Sequence, residues 1–184
     1  MSAELFLIAS PHSSPTGLLR SFDLIAAKTP VAAVLLPREG LADNAYKTQC
    51  KALIPRLQAA GAAVLVEGEP GLVKLLGADG LHVTGGVKAV DEAIKALKPN
   101  HIVGIGDSRS RHDAMQKGEL GVDYVMFGPL AGPLDAETRE MASWWAETME
   151  IPAVLSDPGA RIDAYDAAGC EFIALPLEAI EAGA

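Results

Sequence analysis

Hydrophobic residues in this chain gather into eight short runs, separated by stretches in which apolar positions recur at helical intervals. The runs cover about 4–9, 31–36, 62–66, 79–83, 101–105, 122–127, 152–155 and 171–175. They are near-continuously apolar rather than alternating, the pattern of parallel strands buried on both faces. Asp43 is placed to cap a helix in which Cys50, Leu53, Ile54 and Leu57 fall at i, i+3, i+4 and i+7, with Pro55 as a kink. Asp135 is placed to cap another, where Met141, Trp144, Trp145, Thr148 and Met149 form one broad face read as core. Pro30, Pro99 and Pro152 stand between helix ends and strands, where a proline stops a helix without disturbing a ladder.

One phrase repeats: a glycine, a small residue, an acidic residue, then an apolar strand. It reads Gly77-Ala78-Asp79-Gly80-Leu81-His82-Val83, then Gly121-Val122-Asp123-Tyr124-Val125-Met126-Phe127, then Gly169-Cys170-Glu171-Phe172-Ile173-Ala174-Leu175. A weaker copy starts at Gly61. Each glycine follows a helical pattern, so it fits the left-handed position that ends a helix. The three glycines lie 44 and 48 residues apart, which is two βα units per interval if a unit takes about 20–25 residues. Eight strands alternating with helices predict a compact, single-domain α/β protein over 1–184, a (β/α)8 TIM barrel. An open doubly wound sheet is the alternative, weakened for dinucleotides because no G-x-G-x-x-G follows the first strand. Leu177 to Ala184 leaves room for only a short last helix.

A hydrophobic content of 49% over 184 residues supplies a sizeable core for one domain. The net charge of −9, with no block of like charges, excludes a basic nucleic-acid footprint. Cys50 and Cys170 are too few for a disulfide framework or a cysteine-based zinc site, and are read as packed thiols in a reducing compartment. With no basic signal region and no apolar run of about 18 residues, a cytoplasmic protein without membrane contact is expected. Homo-oligomer formation stays open at this point.

The stretch 62–130 resembles the thiamine phosphate synthase/TenI family. Gly77 to Val83, Ile102-Val103-Gly104-Ile105, and Gly121 to Pro129 are similar to its GADGVHLGQ, IIGVS and GADYVxxGPxF segments, in order and at similar spacing. Glu4 to Ile8, Ile151 to Leu155 and Gly169 to Ile180 extend the likeness over nearly the whole chain. The resemblance implies a (β/α)8 barrel of thiamine metabolism. Its synthases join a hydroxymethylpyrimidine diphosphate to a thiazole phosphate with Mg²⁺ help, so the implied partner is a small heterocycle or phosphate ester.

At the chemical positions the chain departs from the family. The two family aspartates linked to Mg²⁺ fall on Gly68 and near Val87, so weak or absent Mg²⁺ binding is expected unless Glu67 and Glu69 take over. The QLRxK segment aligns with Leu35 to Glu39, which include Arg38, so its arginine is displaced or lost, and the TPTK loop becomes Leu130 to Asp135 without the lysine. The phosphate-cradling glycine turn reads Ser156-Asp157-Pro158-Gly159, and the last strand ends Pro176-Leu177-Glu178. Lost N–H groups and added carboxylates there predict a preference for a neutral or cationic group. The tautomerase histidine of the TenI branch falls on Pro129.

Among the residues that remain, His82 is a catalytic candidate as acid or base at the barrel mouth, or a hydrogen-bonded interior histidine. Asp107 directly follows the fifth strand and is the second catalytic candidate, a general base, with Arg109 as an anion clamp. The competing reading makes Asp107 or Ser108 a helix cap. Arg111 and His112 are expected exposed, and His12 and His101 structural or exposed. The substrate-binding candidates are Arg38, Glu67, Thr84, Arg109, Gly128, Ser156 and Gly159. No metal ligand is assigned. A thiamine phosphate synthase-like activity, or an inactive relative binding a ligand or partner through the same mouth, are the two functional expectations.

Overall fold

Eight strands and six helices alternate in the computed structural model, which describes residues 2–178. The strands are β1 (Glu4–Ala9), β2 (Val31–Leu36), β3 (Ala63–Val66), β4 (Gly80–Thr84), β5 (Ile102–Gly106), β6 (Tyr124–Phe127), β7 (Ala153–Ser156) and β8 (Phe172–Leu177). All neighbours are parallel, and β8 pairs with β1 to close the barrel in chain order. The helices are α1 (Pro15–Ala26), α2 (Asp43–Ala59), α3 (Gly71–Leu76), α4 (Val87–Leu97), α5 (Arg111–Gly118) and α6 (Ala136–Thr148). The apolar runs 4–9 and 31–36 are strands with those same bounds, and the other six lie within two residues of theirs.

Strand alternation divides the core in two. Phe6, Ile8, Leu35, Leu65, Met126 and Val154 fill the barrel interior. Their neighbours in sequence, such as Leu5, Leu7, Val34 and Leu155, pack outward beneath the helices. On the β4–β5 side the interior is made of glycines so that two rings fit. A Cβ on Gly104 would stand 1.9 Å from the Tyr124 ring, and one on Gly106 would stand 2.6 Å from His82 Nε2.

The repeated phrase proves architectural at both its positions. Gly77 closes α3 at φ 71° in the left-handed region, and Gly61, Gly121 and Gly169 share positive φ. The acidic residue that follows turns its carboxylate to the entrance of the neighbouring strand. Asp79 accepts from the Val64 N–H at 2.7 Å, Asp123 from Val103 at 2.8 Å, and Glu171 from Ala153 at 2.8 Å. Each contact serves an odd-numbered strand, which is why the phrase recurs every second βα unit.

Three local expectations change. Residues 157–171 form no helix; they pass through turns and one isolated bridge between Arg161 and Ala164. Pro158 and Gly159 open this segment, and its few large apolar residues, Ile162 and Tyr165, are exposed, so it offers no apolar stripe. The short last helix expected over 177–184 falls largely outside the described residues. Asp43 is the first residue of α2 rather than its cap: Ala42 holds the extended cap position, and the Asp43 carboxylate pairs with Arg38. Finally, α2 continues past Pro55, whose ring is exposed on the outer face. The Asp135 expectation holds, its carboxylate accepting from the Thr138 N–H at 2.8 Å to cap α6.

Candidate functional site

The loops that follow the strands gather at the C-terminal end of the barrel, where active sites of this architecture lie. Two of the three non-glycine residues with positive φ among the described residues lie there, the third being Ala168 before β8. Glu39 at φ 36° follows β2, Asp107 at φ 56° follows β5, and Gly128 at φ 103° follows β6. A carboxylate-bearing residue tolerates the left-handed region poorly compared with glycine, and such outliers favour functional loops. Gly128 is needed for space as well, since a Cβ would meet the Ser156 carbonyl oxygen at 2.2 Å.

His82 lies inside the barrel on β4, 2% exposed. Its Nδ1 is 2.7 Å from the Tyr124 hydroxyl, and the two rings stack at 5.8 Å. Nε2 is buried without a hydrogen-bond partner among the described residues. Burial pushes the imidazole down to about 4, so it is neutral near pH 7. Tyr124, not foreseen as a site residue, is pushed up, chiefly by burial and then by the charge of Glu67. The alternating glycines 104 and 106 were the signal for two interior rings, because a strand glycine marks close approach.

Glu67 and Arg38 meet through the backbone. The Arg38 N–H donates to Glu67 Oε2 at 2.8 Å, while its guanidinium is held by the Leu41 carbonyl at 3.3 Å and by Asp43. The Tyr46 hydroxyl donates to Leu36 O at 2.6 Å and accepts from the Glu67 N–H at 2.9 Å, fixing the loop after β3 to that after β2. Burial raises the Glu67 carboxyl, with Glu39 adding like-charge repulsion against the opposing Arg38 N–H. Thr84 is exposed at the end of β4.

Neither Asp107 nor Ser108 caps α5; Ser110 does, accepting from the Asp113 N–H at 3.1 Å. Asp107 and Arg109 stand 3.9 Å apart on the surface, and the Arg109 side chain is 86% exposed. Arg109 and Ser108 instead border a recess of about 520 Å³ outside the barrel, against Glu137 and Glu140 of α6. Arg111 is exposed and lies 4.6 Å over the Trp144 ring, and His112 is exposed. Trp145 is core, its Nε1–H donating to Ile151 O at 2.9 Å. His12 is exposed, and His101 is half-buried.

At the end of β7 the polar groups satisfy one another. Ser156 is fully buried and donates to Pro129 O at 2.6 Å. The Gly159 N–H donates to Asp157 Oδ1 at 3.2 Å, and Asp157 Oδ2 is held by Arg139 at 3.0 Å. Arg139 also donates to the Asp166 carbonyl at 3.0 Å, so one α6 guanidinium pins the irregular 157–171 segment. The charge of Asp157 is therefore balanced, a compensation no sequence signal marked, because Arg139 and its partners share no motif.

A recess of about 270 Å³ opens at the C-terminal face, walled by the ends of β1 and β8 and the loops after β2, β6 and β7. None of the nine candidate residues borders it. They fall into separate groups: the His82 interior, the Arg38–Glu67 loop, the Asp107–Arg109 loop and the Gly128–Ser156–Gly159 junction, with Thr84 apart. No group of three histidine, cysteine or carboxylate residues able to hold a metal occurs among the described residues. At the positions that the resemblance links to Mg²⁺, Gly68 packs near Leu72 and the Arg38 guanidinium, and Val87 opens α4. Neither Gly68 nor Val87 supplies a carboxylate, and the Arg38 guanidinium stands beside the first; Mg²⁺ asks for oxygen ligands.

Residues 5–175 match the family described as thiamine monophosphate synthase. A thiamine-phosphate synthase of Rhodospirillum centenum is 33% identical over 156 residues, covering 82% of this chain and 75% of its own. One from Hyphomonas neptunium is 32% identical over 162 residues, with coverage of 82% and 73%. The structure of a thiamine phosphate pyrophosphorylase from Pyrococcus furiosus superposes with a TM-score of 0.75 at 21% identity, over 94% of this chain and 85% of that one. An aldolase from Escherichia coli K12 reaches 0.71 at 14% identity over 96% of this chain and 75% of its own, a likeness of fold alone. Among the described residues no helix is long and apolar enough to cross a membrane.

Proposed function

This chain belongs to the thiamine monophosphate synthase family, and from that premise we propose a divergent thiamine-phosphate-synthase-like protein that holds a small heterocycle at the C-terminal face of its barrel. The observation that carries the reading is the family match across residues 5–175. The recess at the C-terminal face, although none of the candidate residues borders it, offers room for one ring at the end where barrels do chemistry. Asp107, held in the left-handed region just past β5, is the candidate general base. His82 is neutral near pH 7, so its part would be to orient or accept a proton rather than to supply positive charge. Arg109 would meet any anion on the β5 side, and Glu67 would set the negative field between β3 and the mouth. Thr84, Arg38, Gly128, Ser156 and Gly159 remain candidates for shaping the site.

Gly68 and Val87, at the positions the resemblance links to Mg²⁺, carry no carboxylate to hold it. That misfit is the specific observation favouring a second reading, a family relative that binds its ligand without turnover. Incubation with the pyrimidine diphosphate and the thiazole phosphate, with and without Mg²⁺, separates the two. Thiamine phosphate as product supports a transferase. A ligand that binds with no product, at any Mg²⁺ concentration, supports the non-catalytic relative.

A further inference from the structure

The barrel interior is not filled to its N-terminal end. A hollow of about 320 Å³ opens there, walled by Phe6, Leu65, Ile102, Tyr124, Val154 and Phe172. It arises because neighbouring strands supply little side chain at that level. Ala33 of β2 lies beside Ala63 of β3, and both border the hollow. On β4, Gly80 at the same end adds no side chain. Bulky branched residues ordinarily fill these layers of a barrel. The rim is irregular as well. The β1–β2 register shifts between Leu5 and Phe6, so that Ala32 has no partner on β1, and Ala32 borders the hollow. Such extra residues collect at barrel rims and beside functional sites. Ser2 and Ala3, which lead into β1, do not border it, and Ala3 packs against the outer layer of the core.

The chemistry of the walls decides what fits. Phe6, Leu65 and Val154 are buried at the back, while Ile102 and Phe172 are half-buried and leave apolar surface at the opening. Phe6 and Tyr124 meet edge to face at 5.7 Å, which presents aromatic surface on which a flat ring packs. The Tyr124 hydroxyl is already engaged by His82 Nδ1 at 2.7 Å, so its polarity is spent within the protein. An apolar cavity about half this size holds a benzene-sized ring. Charge is found only at the rim. Glu4 and Asp123 border the hollow, and no lysine, arginine or histidine does among the described residues. Asp123 is committed to the Val103 N–H and to Lys98, whereas Glu4 is exposed. We infer that the N-terminal end of the barrel binds a small aromatic amine, one flat ring among the apolar walls with its ammonium beside Glu4. A carboxylate on the same ring is disfavoured by like charge. The hollow lies at the opposite end from the C-terminal recess, and the inference does not rest on the family reading.

Titration of the isotope-labelled full chain at pH 7.5 and low salt with indole, tryptamine and indole-3-acetate tests this with one ring in three charge states. Amide chemical shifts locate the ligand, and calorimetry gives its affinity. Tryptamine is expected to saturate, with shifts concentrated at Phe6, Ala33, Tyr124 and Phe172. It should bind about threefold or more tighter than indole-3-acetate, with indole between them. Ala33→Leu and Ala63→Leu each fill the hollow from a different strand. Each should weaken tryptamine about tenfold or more while the thermal midpoint stays at or above that of the parent. Glu4→Gln should bring tryptamine to within about twofold of indole and leave indole unchanged. No saturable binding of tryptamine, shifts confined to the C-terminal loops, equal affinity for tryptamine and indole-3-acetate, or undiminished binding in the filled variants overturns the inference. If a filled variant does not fold, the shifts in the parent chain and the Glu4→Gln titration still decide it. Formation of thiamine phosphate, or its absence, bears on the family reading alone.

Discussion

At the N-terminal end of the barrel the same contact is made three times; at the C-terminal end the loops close in different ways. Asp79, Asp123 and Glu171 each turn a carboxylate to an amide at the entrance of β3, β5 or β7. Opposite them, Glu39, Asp107 and Gly128 hold unusual backbone angles, and prolines line the recess. The first end repeats because every second βα unit must solve one problem, an unpaired amide at a strand entrance. The second varies because shaping a ligand site sets no common requirement on successive loops. Repetition here marks stability, and irregularity marks the place where function is to be sought.

The comparison breaks most sharply where the barrel wall admits no atom. Gly104→Ala would drive a Cβ to 1.9 Å from the Tyr124 ring, and Gly80→Ala would drive one to 2.3 Å from the Ile102 carbonyl. Urea unfolding should show losses of about 3 kcal/mol or more for each. Tolerance of either alanine would mean that the interior rings have other room.

Acid should act through the same interior. His82 falls from 6.5 to about 4 on folding, because burial disfavours its charged form. Between those values the unfolded chain binds more protons than the folded one, so stability rises with pH across that window. The contribution is complete above pH 6.5 and is lost as pH falls towards 4, amounting to up to about 3 kcal/mol. Unfolding measured at pH 7 and pH 4.5 should reveal the slope, and His82→Gln, which leaves a partner for the Tyr124 hydroxyl, should flatten it. An unchanged slope would assign the acid sensitivity to carboxylates.

Next come the repeated carboxylates. Asp79→Ala or Glu171→Ala leaves a strand-entrance amide without its acceptor, and about 1–3 kcal/mol should be lost in denaturant titration. Asp123→Ala removes in addition a pairing to Lys98 at 2.5 Å, about one-third exposed, which adds a modest increment. The smallest effect belongs to the other end. Glu39→Gln should move the stability by no more than about 0.5 kcal/mol, since the residue is exposed and repels Glu67. A loss as large as that of Asp79→Ala would erase the distinction between the two ends.

The sequence by itself determined the barrel. Each strand and most helices announce themselves through apolar spacing within about 20 residues, and the glycine–acid phrase marks the joints, because helix stops and strand entrances are local events. Only the tertiary structure decided which candidate residues meet. His82 meets Tyr124 across 42 positions, Arg38 meets Glu67 across 29, and Arg139 neutralises Asp157 from another βα unit. It also separated candidates that the sequence set side by side, sending Arg109 to an outer recess while unforeseen prolines and Glu39 came to border the mouth. Spacing along the chain carries no record of these meetings, because the distance between two strand ends is set by closure of the whole barrel and not by the residues that lie between them.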